Sequence, residues 1–233
     1  MTRIIGSDRS VIVACDTGWN LFERMLRATS TVEGVGGYKI GFHLALLHGL
    51  PAVTDLARSL APGKALIYDH QKAGRDVPDT GVHFARTMRS AGVDAAIIYP
   101  DPLDRDTGTV WLEELLLVGV PTIVGAWMTA PRYAASEGGS RPDDAILAVY
   151  RDAVRRGVSD LVVPGNKPDA VRRIIRETSD SAVLYAPGIG VQGGSIAGLR
   201  AIVHGPLHPI IGRGMHERLD PREALLAYVR ELR

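Results

Sequence analysis

Leu66-Ile67-Tyr68-Asp69-His70-Gln71-Lys72-Ala73-Gly74-Arg75-Asp76-Val77-Pro78-Asp79-Thr80 starts as a buried strand and ends as a charged loop. The apolar run Ala65 to Tyr68 stops at Asp69, and Lys72, Arg75, Asp76 and Asp79 follow closely. A short continuous apolar run bounded by charge reads as a strand covered on both faces. Lys72 lies between the carboxylates of Asp69 and Asp76. Nearby negative charge favours its ammonium form, which suits a proton donor or a clamp on a developing carbanion better than a general base. Taken alone, the stretch also reads as a solvated loop with surface ion pairs, which are worth little. The rest of the chain decides between the two.

Outward from this stretch the same pattern repeats. Apolar runs at Val11–Cys15, Gly37–Ile40, Ala65–Tyr68, Ala95–Tyr99, Pro121–Trp127, Asp160–Val163, Ala182–Ala186 and Pro209–Ile211 read as strands. Between them lie helical patterns: Trp19 to Ala28, Leu44 to Leu60 (interrupted by Gly49 and Pro51), Thr80 to Ser90, Trp111 to Leu117 and Pro142 to Arg156. A helix opening at Lys167-Pro168, a short one from Ile196 to Val203 and a last one from Pro221 to Leu232 complete the set. Strict alternation implies parallel strands with right-handed crossovers. Eight repeats suggest a (β/α)8 TIM barrel, with an open doubly wound sheet as the alternative topology. The length of 233 residues fits one such barrel, and no composition break marks a linker, so residues 1–233 are expected to form a single domain.

Composition narrows the class. Hydrophobic residues at 45% and charged residues at 23% give an ordinary globular balance, which argues against disorder. A net charge of +1 offers no basis for a nucleic-acid or membrane partner. The lone Cys15 excludes an internal disulfide and reads as a small core residue. No apolar run approaches the roughly 18 residues of a membrane span, and the N-terminal residues lack a long apolar segment, so a cytoplasmic protein is expected.

In a barrel, residues just past each strand gather on one face. Those here are Asp16, Lys39, Asp69, Lys72, Thr129, Gln192 and Arg213. Lys39 lies inside a strand, where a charge is costly unless paired. Asp16 and Asp69, ending the flanking strands, are its available partners. A structural ion pair is the plain reading, and a functional charge array is the one favoured by all members falling at the same end. His70, a lone imidazole, reads as structural.

Pro187-Gly188-Ile189-Gly190-Val191-Gln192-Gly193-Gly194 contains the letters of a dinucleotide fingerprint. That fingerprint belongs to a first βαβ unit and needs an acid ending the next strand; here it follows the seventh run, and Arg213 stands near the acid's place. A mobile loop whose backbone N–H groups approach a phosphate fits better, with Gly212-Arg213-Gly214 adding a guanidinium. Loops after strands seven and eight are the usual phosphate site of such barrels. A phosphate-monoester substrate is expected.

These residues together resemble the orotidine 5′-phosphate decarboxylase family along nearly the whole chain. Asp16 with Tyr38-Lys39-Ile40-Gly41 is similar to the family's ribose-binding aspartate and lysine. Asp69, Lys72 and Asp76-Val77-Pro78-Asp79-Thr80 resemble its catalytic Asp-x-Lys-x-x-Asp motif and the Ile/Val-Pro-x-Thr that follows. Met128-Thr129 with Pro131 resembles a Met-Ser segment whose hydroxyl contacts the pyrimidine. Pro187, Gly190, Gln192 and Gly193, then Gly212 and Arg213, resemble the phosphate loop and its arginine.

The resemblance implies conversion of orotidine 5′-monophosphate to UMP and CO2 in pyrimidine biosynthesis, without metal or organic cofactor. Lys72 would stabilise and protonate the carbanion, and Asp69 and Asp76 would hold it charged. Asp16 and Lys39 would bind ribose, and Gln192 and Arg213 phosphate. Asp76 and Thr80 would reach the neighbouring subunit's site, making the active unit a homodimer. One departure stands out. Asp69-x-x-Lys72-x-x-x-Asp76 has one more residue in each gap than the family motif, which a bulge containing Gly74 would absorb. Two alternatives stay open: a magnesium-using decarboxylase or aldolase of the same barrel group acting on a keto-sugar phosphate, and a non-catalytic UMP- or phosphate-ligand-binding protein.

Overall fold

Side chains two residues apart on a strand face the same way, and this parity sorts the apolar runs into two cores. Ile12 and Ala14, Ala65 and Ile67, Ala95 and Ile97, Val183 and Tyr185 pack with one another inside a ring of strands. Their neighbours Val11, Val13, Cys15, Tyr38, Ile40, Leu66, Tyr68, Ala96 and Ile98 pack outward against helices. Strands buried on both faces carry continuous apolar runs for that reason.

The computed structural model describes residues 3–70, 73–179 and 181–233. Eight parallel strands close in sequence order: β1 (Val11–Cys15), β2 (Val35–Gly41), β3 (Ala65–Asp69), β4 (Ala95–Ile98), β5 (Thr122–Gly125), β6 (Asp160–Val162), β7 (Val183–Ala186) and β8 (Leu207–Ile211). Pairing of β1 with β8, Val13 opposite Ile211, closes the ring and removes the open-sheet alternative. The helices around it are α1 (Trp19–Thr29), α2 (Phe42–His48), α3 (Leu50–Leu60), α4 (Thr80–Ser90), α5 (Arg105–Leu117), α6 (Asp143–Arg155), α7 (Pro168–Glu177), α8 (Ile196–Arg200), α9 (Arg213–His216) and α10 (Pro221–Leu232).

Most elements fall within a few residues of their expected bounds. Two differ. Helix α5 begins six residues before Trp111, at Arg105, because the Asp104 side chain accepts from the Thr107 N–H and caps it. Helix α9 forms where the sequence suggests only a loop after the eighth strand. Cys15 is buried, as expected of a core residue, and burial pushes its thiol well above the usual range. No helix among the described residues is long and apolar enough to cross a membrane.

The end of the barrel away from the strand C-termini holds a buried polar cluster. His208 Nδ1 lies 2.8 Å from Ser10 Oγ, and the His208 ring packs 5.1 Å from that of Tyr185, whose hydroxyl donates to Asp160 at 3.0 Å. Burial, reinforced by the positive charge of Arg3, pushes the His208 imidazole down to about 4, against opposing contributions from Ser10 and Asp8. The unfolded chain takes up this proton near pH 6.5 while the folded chain refuses it. The neutral imidazole therefore contributes stability that is complete above pH 6.5 and is lost as pH falls toward 4, a loss of about 3 kcal/mol at ~1.4 kcal/mol per unit. Urea midpoints measured from pH 7 to 4 are expected to fall, and to fall less in His208→Gln. Equal slopes for the two proteins would refute this assignment.

Candidate active site

Parity also puts the charged residues at the barrel mouth. Asp69 continues the inward series Ala65, Ile67; Lys39 and Gly41 lie in register with Ile67 and Asp69, and Ala14 with Lys39. The Lys39 ammonium lies 2.8 Å from Asp69 Oδ2 and 2.8 Å from Asp16 Oδ2. Lys39 and Asp69 are buried, at 6% and 8% exposure, whereas the Asp16 side chain is 55% exposed. Gly41 is needed here: a Cβ would stand 1.9 Å from Asp16 Oδ1. Burial alone would push the Lys39 ammonium down, but the carboxylates of Asp69 and Asp16 outweigh it and hold it above the ordinary lysine range. Lys39 is thus a permanent cation and not a base. Asp69 Oδ1 is buried with no hydrogen-bond partner among the described residues.

These groups line a cavity of about 450 Å³ at the C-terminal ends of the strands. Of the residues expected in the site, Asp16, Lys39, Asp69, Thr129, Pro187, Gln192, Gly212 and Arg213 line it. Its apolar floor comes from Ile97, Val162 and Ile210, with Met128 beside Thr129. Lys72 lies outside the described residues.

Asp76 and Thr80 do not line the cavity. Asp76 is exposed and accepts from the Val77 N–H at 2.8 Å, and Thr80 donates to the Val77 carbonyl at 2.7 Å. The lengthened loop is tied back by backbone bonds. The Ala73 N–H donates to His70 O at 2.8 Å, the Tyr99 N–H donates to Ala73 O at 3.0 Å, and Gly74 takes a φ of +89° that favours glycine. His70 faces away from the cavity, among Tyr68 and Phe84, with Nδ1 3.0 Å from the Tyr68 hydroxyl. Burial lowers its pKa.

Gly190 and Gly193 do not line the cavity either. The expected run of backbone donors is partly used within the loop: Gly190 N–H to Gly194 O at 2.9 Å, Gly193 N–H to Gly190 O at 2.8 Å, and Gly194 N–H to Gly188 O at 3.0 Å. Gln192 and Arg213 are exposed at the cavity wall, and Arg213 makes no ion pair among the described residues.

The loop carrying Met128 and Thr129 is braced by contacts no spacing reveals. Glu137 accepts from Trp127 Nε1 at 2.8 Å, from the Tyr133 N–H at 3.0 Å and from Lys167 Nζ at 2.6 Å. Asn166 Nδ2 donates to Thr129 O at 3.0 Å. Burial would raise the Glu137 carboxyl, but the hydrogen bonds from Lys167, Trp127 and the backbone outweigh it and hold it below the usual range. Besides apolar residues, the cavity wall carries two polar side chains that the sequence reading does not include, Tyr99 and His216. Tyr99 has the inward parity of Ala95 and Ile97, a signal available from sequence; His216 had none.

No family model matches the chain. Among curated proteins it is 32% identical over 227 residues to an orotidine 5′-phosphate decarboxylase of Aeropyrum pernix, spanning 93% of this chain and 86% of that one. It is 29% identical over 210 residues to the enzyme of that name from Methanosarcina mazei, spanning 90% and 89%. Among solved structures, an orotidine 5′-monophosphate decarboxylase from Methanocaldococcus jannaschii, complexed with the inhibitor BMP, superposes with a TM-score of 0.82. At 20% identity over 96% of this chain and 98% of that one, it shows the shared fold.

Proposed function

The chain belongs to the orotidine 5′-phosphate decarboxylase family, and on that premise we propose that it converts orotidine 5′-monophosphate to UMP and CO2 in pyrimidine biosynthesis. The observation that carries this reading is Lys39 bridging Asp16 and Asp69 in a cavity whose β7 and β8 loops supply Gln192 and Arg213.

In this reading Arg213 and Gln192 hold the phosphate, and Asp16 and Lys39 take the ribose hydroxyls. The pyrimidine lies against Met128 and Thr129, with its carboxylate toward Asp69. The bond from C6 to the carboxylate breaks, CO2 leaves, and the electron pair stays on C6. The Lys72 ammonium stabilises that pair and gives it a proton, and the neutral amine regains one from solvent. Lys72 has this role from its place in the motif.

We assign Asp76 and Thr80 to the site of a second copy. They follow β3, and exposed apolar side chains flank them: Phe42, Leu46 and Leu47 on α2 after β2, Val77 after β3 and Leu103 after β4. Three consecutive strand ends thus share one apolar sector of the rim, which a homodimer would cover. The reaction has its natural place in the cytosol, where a free nucleotide is available.

The test is incubation of the purified chain with orotidine 5′-monophosphate and EDTA while pyrimidine absorbance is followed. Wild type is expected to consume the substrate, and Lys72→Ala to lose at least about 10³-fold in rate. Unchanged absorbance with folded, pure wild type would sink the reading.

A further inference from the structure

We propose that His216 is a positioning residue for Arg213, fixing the anion-binding end of the cavity. This rests on the decarboxylase reading for the identity of the anion, a 5′-phosphate. The pairing of β8 with β1 ends at Val13 opposite Ile211. Just beyond it, His216 Nε2 lies 2.6 Å from the carbonyl of Ala14. A carbonyl only accepts, so Nε2 carries the proton and donates. The imidazole thereby continues the β8–β1 seam one residue further with a side chain.

What it holds in place is α9, a single turn whose first residue is Arg213 and whose last is His216. A helix of four residues has almost no stability of its own. The Arg213 guanidinium is exposed at the cavity wall and pairs with no carboxylate among the described residues, so its direction depends on how α9 is anchored. Ala14, the acceptor, also lines the cavity and is in register with Lys39. One hydrogen bond therefore ties the arginine to the strand that adjoins the Asp16–Lys39–Asp69 array. Behind α9, the Tyr228 hydroxyl packs against the backbone at Gly214 and Gly190, so α10 supports both loops of the anion end. An anchored guanidinium meets the phosphate without first being ordered; a loose one must lose that freedom on binding.

The experiment compares wild type, His216→Leu and His216→Gln on the nucleotide and on orotidine, which lacks the phosphate, with UMP affinity measured by calorimetry. His216→Leu is expected to raise KM for the nucleotide and Kd for UMP about tenfold, with kcat at saturation and orotidine turnover unchanged. His216→Gln, whose amide presents a donor at similar reach, is expected to recover most of the loss. His216→Leu added to Arg213→Ala is expected to cost nothing more, since it acts through that arginine. Unchanged UMP affinity in His216→Leu, equal losses on nucleotide and nucleoside, or an additive double variant would overturn the positioning role. Wild type that binds UMP but leaves orotidine 5′-monophosphate intact would overturn the decarboxylase reading alone.

Discussion

Replacing Lys39 by Met is expected to cut turnover by about 10³-fold and to lower the unfolding free energy by about 3–5 kcal/mol. The stability loss follows from what stays behind. Asp69 is buried beneath the mouth, its Oδ2 2.8 Å from the lysine. Without the cation it must be neutralised by a proton or remain a buried, unpaired charge. Asp16, 55% exposed, keeps its hydration and adds little to that penalty. The activity loss follows from the same change. In the proposed mechanism, a protonated Asp69 would no longer present negative charge to the reacting carboxylate and would no longer share in holding Lys72 charged. Lys39→Met combined with Asp69→Asn separates the two effects: stability is expected to return to within about 1–2 kcal/mol of wild type, while turnover stays lost. Urea unfolding and steady-state kinetics on the three proteins provide the check. A single variant as stable and as active as wild type would refute the argument.

That array was readable in advance because strand geometry is a two-residue rule. Once Ala65 to Tyr68 is a strand covered on both faces, Asp69 shares the face of Ala65 and Ile67. The same rule brings Lys39 between Asp16 and Asp69 when neighbouring strands are parallel and in register. Tyr99 obeys it too, but a neutral phenol at a strand end carries no charge to set it apart from the core.

What stayed hidden depends on contacts distant in sequence. Glu137 and Lys167 brace the Thr129 loop across 30 residues, and His216 meets Ala14 across 202. No local pattern encodes either pairing, whereas the adjacency of β5 and β6 creates the first and closure of β8 on β1 the second. The glycine-rich segment shows the converse. Its composition suggests a run of free backbone donors, and three of those N–H groups bond inside the loop instead.

The position of Asp76 leads to the second large effect. Asp76→Asn and Lys39→Met are each expected to be nearly inactive as homodimers, and a hybrid of the two is expected to regain about half of wild-type turnover. In a hybrid of the proposed dimer, one of the two cavities would have an intact Lys39 and receive the intact Asp76 from the other chain, while the second cavity would carry both substitutions. The prediction starts from geometry. Asp76 is exposed, accepts a hydrogen bond from the adjacent Val77 N–H, and lies off the wall of its own cavity. A carboxylate so placed reaches a reacting group through a neighbouring copy or through a large movement of its own loop. Loop movement is opposed by the Arg75 bond to the Tyr99 carbonyl at 2.7 Å and by the Trp111 bond to the Val77 carbonyl at 3.2 Å. Both would have to break, at roughly 1 kcal/mol each. A second copy requires neither, and it would also cover Val77, which is 59% exposed, and the apolar side of α2. Co-expression with two affinity tags isolates the hybrid, and its turnover per dimer is the readout. A hybrid as inactive as its parents would mean that Asp76 serves its own chain's cavity and that the loop moves to bring it there.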